Sequence, residues 1–472
     1  MVVLLVCLFV VSRVVLLATG FSFETGPLKV ATQNIDPSLM RTRLLESLWY
    51  MHGQPPLWNG LVGLSLNVFP NGWEELWHVI FLGLGLVAVL ALYALLVQFG
   101  ISRRAAAIVA AVFSLTPAVL AYENSFFYDY PTLVVLTVAA VAVGRFVSRP
   151  SVGVGLVVFG CAAGLVLLRT LFQVWWLLAV IALLLVACWD RRRTVLLACA
   201  VPLALVVSVY AKNWIMYGVP STSSWAGMGL ARVAVEGLSL SERRQLVSEG
   251  KLHPVSLVEP LSPLAAYEAV GIERDAPTGI PLLDEVSGPE YPANLENRTY
   301  IRISRLYWQD DLWIIRHRPG AYLRAVGAGL ADFVSPPTRG WGGEGNVGRM
   351  SAYDRWFNEV AYGRLGLGTA GLFVVAAYLF ALAVGLWVTV RRLRPGAPPA
   401  TVTVGFALVT IVYVGVVGNL AEVGENYRFR FVVEPLAVAL VAFGVNRLLE
   451  RRSASLSASP PSERPAGGGS GR

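Results

Sequence analysis

Four short stretches of the chain gather the side chains able to do acid–base or anion chemistry. NIDPSLMRTRLLESLWYMHGQPPLWN carries Asp36, Arg41, His52 and Gln54, and AYENSFFYDYP sets Glu123 and Asp129 among aromatics. Arg169 stands alone in LLRTLFQVWW, while Lys212 and Asn213 end a later apolar run. NLAEVGENYRFRFVVEPL crowds Glu422, Glu425, Arg428, Arg430 and Glu434 together. A carboxylate can accept the proton of an attacking hydroxyl, and arginine forks match the oxygens of a phosphate. Both types side by side at one membrane face suit a lipid-linked phosphate.

Each stretch also has a plainer reading. Asp36 before Pro37 is a helix N-cap followed by proline at the first helical position. Leu39, Met40, Leu44, Leu45, Leu48 and Trp49 then recur at helical spacing as far as Gly53, which predicts a short amphipathic helix at a membrane surface. Cap and base use the same carboxylate oxygens without excluding each other. His52 is expected near that helix's C-terminus, facing its dipole. The aromatics around Glu123 and Asp129 make an interfacial belt, and the arginines serve equally as anchors or as partners of nearby glutamates. Glu123 and Asp129 argue for function because ionisable groups at membrane depth are costly.

The elements that position these residues follow from composition. Of 472 residues, 56% are hydrophobic and 14% charged, against about 45–50% and about 25% in soluble domains. That excludes a soluble enzyme. The net charge is +8, but only three of the 38 basic residues are lysines. The arginines gather at the ends of apolar runs, a membrane-topology pattern with no continuous stripe for nucleic acid. Ten apolar runs approach the length of a spanning helix: 2–19, 76–99, 105–121, 131–147, 152–168, 175–189, 194–211, 368–390, 401–418 and 431–448. The first lacks a basic leader and a good cleavage site and is broken by Arg13, so it reads as a span and not a signal peptide. The fold expected is an all-α membrane protein of about ten transmembrane helices.

Arg103 and Arg104, Arg145 and Arg149, Arg191 to Arg193, Arg391 to Arg394, and Arg447 to Arg452 mark alternate connections. The positive-inside rule makes these cytoplasmic, with both termini inside and the polar stretches outside. The organisation expected is an N-terminal bundle (1–211) with an outer loop at 20–75, an extracytoplasmic segment (212–367), C-terminal transmembrane helices (368–448) and a disordered cytoplasmic tail (449–472), rich in Ser, Pro and Gly. In the large segment, Ser239 with Glu242 forms a capping box. A helix through Ile301 and Ile315 is predicted to stop at Pro319, with a second from about Gly320 to Phe333. WGGEG at 341–345 lacks the Lys and Ser/Thr of a P-loop. The four cysteines lie in or beside apolar runs and read as small buried residues.

The chain resembles the GT-C superfamily of multispan glycosyltransferases that use polyprenyl-phosphate sugars, particularly bacterial members related to protein mannosyltransferases and aminoarabinose transferases. The resemblance rests on an acidic residue in a long first outer loop (Asp36), on QPPLWN at 54–59, on YENSFFYDYP and on ENYRFRFVVEPL, in that order. Gln54 stands where the family usually has His, and the first loop has no paired acids. The resemblance implies transfer of a sugar from a polyprenyl-phosphate donor to a glycan, lipid or protein acceptor on the extracytoplasmic face. Asp36 would be the base, with Glu123 and Asp129 orienting the acceptor or a metal. Arg41, Gln54, Arg169, Lys212, Glu425, Arg428 and Arg430 would contact substrate or phosphate. A divalent cation (Mg, Mn or Ca) is the cofactor such chemistry admits. A lipid-linked glycan ligase or polymerase is the alternative with similar topology. A transporter or flippase would instead need polar residues near mid-bilayer.

Overall fold

The computed structural model describes residues 1–288, 293–339, 344–362 and 371–457. Helix α1 (Val2–Ala18) leads to the first loop, where a single turn at Pro27–Val30 precedes α2 (Pro37–Thr42), α3 (Leu44–Tyr50) and α4 (Pro56–Val68). The bundle continues with α5 (Trp73–Gln98), α6 (Arg103–Ser114), α7 (Pro117–Glu123), α8 (Asp129–Ser148), α9 (Val152–Leu168), α10 (Val174–Ala187) and α11 (Arg192–Tyr217). The large segment holds α12 (Ala226–Ala231), α13 (Leu240–Ser248), α14 (Thr299–His317), α15 (Pro319–Phe333) and α16 (Ser351–Tyr362). Three long helices close the fold: α17 (Leu372–Arg392), α18 (Pro399–Leu420) and α19 (Asn426–Ser457).

Within the described residues the expected runs fold as helices, the one at 105–121 in two pieces, but not all of them reach spanning length. Among the described residues six helices are long and apolar enough to cross a membrane, or seven if α6 and α7, bent by 61°, count as one. Helices α1, α9 and α10 have only 17, 17 and 14 residues. Between α9 and α10, Arg169 leaves the helix in an extended conformation and reaches Asp129.

Helix α8 forms the centre, packed against α5, α9, α18 and α19. Its Ala139, Ala140 and Gly144 keep neighbouring backbones close, as small residues do between membrane helices. A β-carbon at Gly144 would press on Gln98 and Thr403. Helices α11 and α17 lie at the periphery, with most of their apolar surface outward.

The loops meet at one end of the bundle. Glu24 N–H donates to Asn124 O at 2.8 Å, Ser224 N–H to His52 O at 2.8 Å, and Asn426 N–H to Asp332 Oδ2 at 2.7 Å. The large segment builds its own apolar cluster around Met228, Leu246, Tyr267, Tyr300 and Tyr307. The capping box at Ser239 and Glu242 forms, and α14 and α15 meet at Pro319.

Two local expectations change. The predicted helix after Asp36 breaks at Arg43 into α2 and α3, which lets both pack on α4; Asn67 Nδ2 donates to the freed Met40 carbonyl at 2.8 Å. The last helix continues to Ser457, through the first part of the expected tail, since no Pro or Gly interrupts it there. The remaining tail, and most of WGGEG, lie outside the described residues.

Candidate active site

Asp129 occupies the first position of α8 and is fully buried. A carboxylate is favoured at a helix N-terminus by the dipole, and here it also pairs with two arginines. Arg169, just past the end of α9, meets Oδ1, while Arg428 Nε donates to Oδ2 at 2.9 Å from the first turn of α19. Aromatic faces hold both cations: Tyr128 and Phe429 lie 5.3 and 5.1 Å from Arg169, and Phe127 lies 4.9 Å from Arg428. Arg428 also pairs with Glu425.

Arg169 and Arg428 border a cavity of about 530 Å³ at the loop-rich end. Gln54, Gln173 and Ser223 bring amide and hydroxyl groups to its wall, and Val416, Val417 and Leu420 of α18 make an apolar side. Arg232 and Glu422, which pair with each other, complete the charged rim. Burial raises the Glu422 carboxyl to about 7, against the pull of Arg232. Three arginines thus face three carboxylates, and the wall is near electrical balance.

The other expected site residues fall elsewhere. Asp36 caps α2, accepting from Ser38 N–H at 2.7 Å through Oδ1, while its Oδ2 is buried without a hydrogen-bond partner. Gly288 passes so close that a β-carbon there would overlap Oδ2. Asp36 does not line the cavity. Arg41 is exposed on α2. Lys212 donates to the carbonyls of Trp49 and Met51 at 3.0 and 2.6 Å, satisfying the end of α3. Glu123 is separate from Asp129: it accepts from Arg13 Nε at 2.7 Å and from the Tyr130 hydroxyl at 2.9 Å. Arg430 bonds Ser335 O at 2.9 Å, Tyr362 and Glu434, and borders a different groove.

His52 lies just past α3, as expected, but buried, with Nδ1 2.7 Å from Ser224 Oγ. Desolvation lowers its pKa, which favours the neutral ring. Glu296 accepts from the backbone N–H groups of His52 and Gly53, both at 2.7 Å, and of Gln54 at 3.2 Å, tying the first loop to the large segment. Sequence reasoning missed Glu296, for which nothing local signals a partner. It also left Arg13 without one, although an arginine inside an apolar run demands a counter-ion.

A divalent cation does not fit the residues present. Among the described residues no three His, Cys, Asp or Glu side chains converge. The carboxylates at or behind the cavity wall, Asp129, Glu422 and Glu425, each engage an arginine.

No family profile matches the sequence, and no curated protein matches it significantly. Two solved structures resemble the fold. The archaeal oligosaccharyltransferase AglB from Archaeoglobus fulgidus, solved with an inhibitory peptide and a dolichol-phosphate, is 12% identical at a TM-score of 0.42, covering 97% of this chain and 52% of its own. ArnT from Cupriavidus metallidurans, in the apo state, is 14% identical at a TM-score of 0.29, covering 94% and 77%. This chain spans about half the length of AglB. Both scores are low, so its chemistry rests on its own residues.

Proposed function

We propose that this chain is an integral membrane glycosyltransferase that moves a sugar from a polyprenyl-phosphate donor to an acceptor on the extracytoplasmic face. The observation that carries the reading is the Arg169–Asp129–Arg428 cluster at the wall of a cavity that is polar on one side and apolar on the other. Asp129 fixes two guanidinium groups in one place, ready for a phosphate. Gln54, Gln173 and Ser223 offer hydrogen bonds to sugar hydroxyls, and α18 offers a wall for the lipid chain.

The acceptor oxygen attacks the anomeric carbon, and the bond from that carbon to the phosphate oxygen breaks. Polyprenyl phosphate leaves with the electron pair, and the arginines meet the charge that grows on it. Asp36 takes the acceptor proton in this reading, on the strength of the resemblance and of its unpartnered Oδ2. Its place off the cavity wall requires the first loop to shift when substrates bind. Asp129 orders the arginines, and the arginine distribution supports the extracytoplasmic orientation.

The test is sugar transfer by the purified protein in bilayers, offered a panel of radiolabelled polyprenyl-phosphate sugars. Asp36→Asn is expected to lower transfer by about 10²- to 10⁴-fold with donor binding retained, and Arg169→Gln to weaken donor binding itself. Full transfer by Asp36→Asn would place the base elsewhere. No transfer and no donor binding across the panel would overturn the reading.

A further inference from the structure

A second cavity, of about 560 Å³, runs between α6 on one side and α17 and α19 on the other, away from Arg169 and Arg428. Its α19 wall is a continuous stripe from Arg430 to Leu449, about 28 Å at a rise of about 1.5 Å per residue. The α6 side follows the same course from Ile101 to Thr116. That length nearly equals the roughly 30 Å hydrocarbon core of a bilayer. The wall is overwhelmingly apolar and rich in alanine and valine, and its charged groups, Arg430 and Glu434, sit at the loop-rich end.

There Arg430 is buried to 2% exposure, and its Nε has no hydrogen-bond partner. The Tyr378 hydroxyl lies beside it, close enough to interact with the guanidinium. Glu434, Tyr362 and Ser335 engage only the two terminal nitrogens of Arg430. A buried donor without a partner is uncommon, and Arg430 Nε, with the Tyr378 hydroxyl beside it at the end of one apolar groove, provides donors for an anionic headgroup. Pro337 and Thr338 close the groove above them.

We propose that this groove is a second lipid site, binding one polyprenyl phosphate with its phosphate at Arg430 and Tyr378 and its chain along α19. An acyl chain of an ordinary phospholipid stays within one leaflet, about 15 Å, half the core thickness. At about 28 Å the groove is longer than a leaflet, so the chain that fills it is longer than an ordinary acyl chain. The proposal deepens the glycosyltransferase reading and rests on it for the identity of the chain: the protein then handles two long-chain lipids, one at each site. Glu434 partly offsets the charge of Arg430 and opposes the phosphate.

Native mass spectrometry of the full chain, released from nanodiscs and titrated with undecaprenyl phosphate, counts the bound copies. Two copies are expected for the unaltered protein and one for Ala442→Phe, which fills the groove without touching its polar end. Arg428→Gln is expected to weaken the cavity copy about tenfold and spare the groove copy, and Glu434→Gln to tighten the groove copy severalfold. The proposal fails if Ala442→Phe still binds two copies, or if phosphatidylglycerol displaces the groove copy at equal concentration. One copy, lost in Arg428→Gln and kept in Ala442→Phe, sinks the second site but leaves the glycosyltransferase reading standing. No copies at all would sink both.

Discussion

Arg169, Arg428 and Arg232 stand against Asp129, Glu425 and Glu422 around the cavity, so an incoming phosphate meets a balanced wall unless one carboxylate takes up a proton. Glu422 is placed to do so. It lies in the loop between α18 and α19, facing Arg232, Glu425 and Arg428, and burial lifts it to about 7. Above that pH it is ionised and the cluster is neutral; below it Glu422 is protonated and the cluster gains one positive charge. The cavity should therefore bind a polyprenyl phosphate more tightly as pH falls through about 7. A gain of about fivefold, on the order of 1 kcal/mol, is the modest end of such coupling. Glu422→Gln should bind as the protonated protein does at every pH, measured by the same lipid titration. A pH slope that persists in Glu422→Gln would assign the proton elsewhere. At this scale the sequence disclosed residue types better than partnerships. The Asp36 cap is legible because Asp-Pro acts on its own next turn. The joining of Arg169 to Asp129 and Arg428 is not, because the three come from different helix ends that only packing brings together.

Helices were legible wherever hydrophobic run, cap and stop agreed, as at Ser239 with Glu242 or at Pro319. The break at Arg43 was not, since it answers to packing on α4 further along the chain. The crossing of α12 on α14 is a further case. A β-carbon at Gly227 would run into the Ser304 carbonyl and the Trp308 nitrogen, while Gly227 N–H donates to Ser304 Oγ at 3.1 Å. Backbone blocks the space, so no rotamer change can relieve it. Gly227→Ala should push α12 off α14 and lower stability by about 1–3 kcal/mol, the usual effect of overpacking. Trp225 and Ser223, next to α12, border the cavity, so donor binding should weaken in parallel. Thermal unfolding in one detergent, with donor titration, checks both; an unchanged midpoint would mean the helices already have room to part.

Across the whole molecule, an ion pair buried in the bundle links α1 to its neighbours. Arg13 of α1 donates to both oxygens of Glu123, at 2.7 and 2.8 Å, and to Ser114 O at 3.0 Å, and it lies 4.2 Å from the Phe9 ring. Tyr130 of α8 adds its hydroxyl, and Gly85 of α5 leaves the space that Glu123 fills. Five helices therefore converge on one pair of charges, at the point where α6 bends into α7. Removing one partner strands the other charge, which typically costs about 3–5 kcal/mol, whereas replacing both with apolar side chains is often neutral. Arg13→Leu alone should destabilise by that amount, and Arg13→Leu with Glu123→Leu should recover most of it, as read by unfolding in a single detergent. The double variant also decides what Glu123 is for. If the carboxylate only holds α7 against α1, a stable double variant keeps its sugar transfer. If Glu123 orients the acceptor, the double variant folds and loses transfer, because the apolar pair restores packing but supplies no oxygen to receive a hydrogen bond.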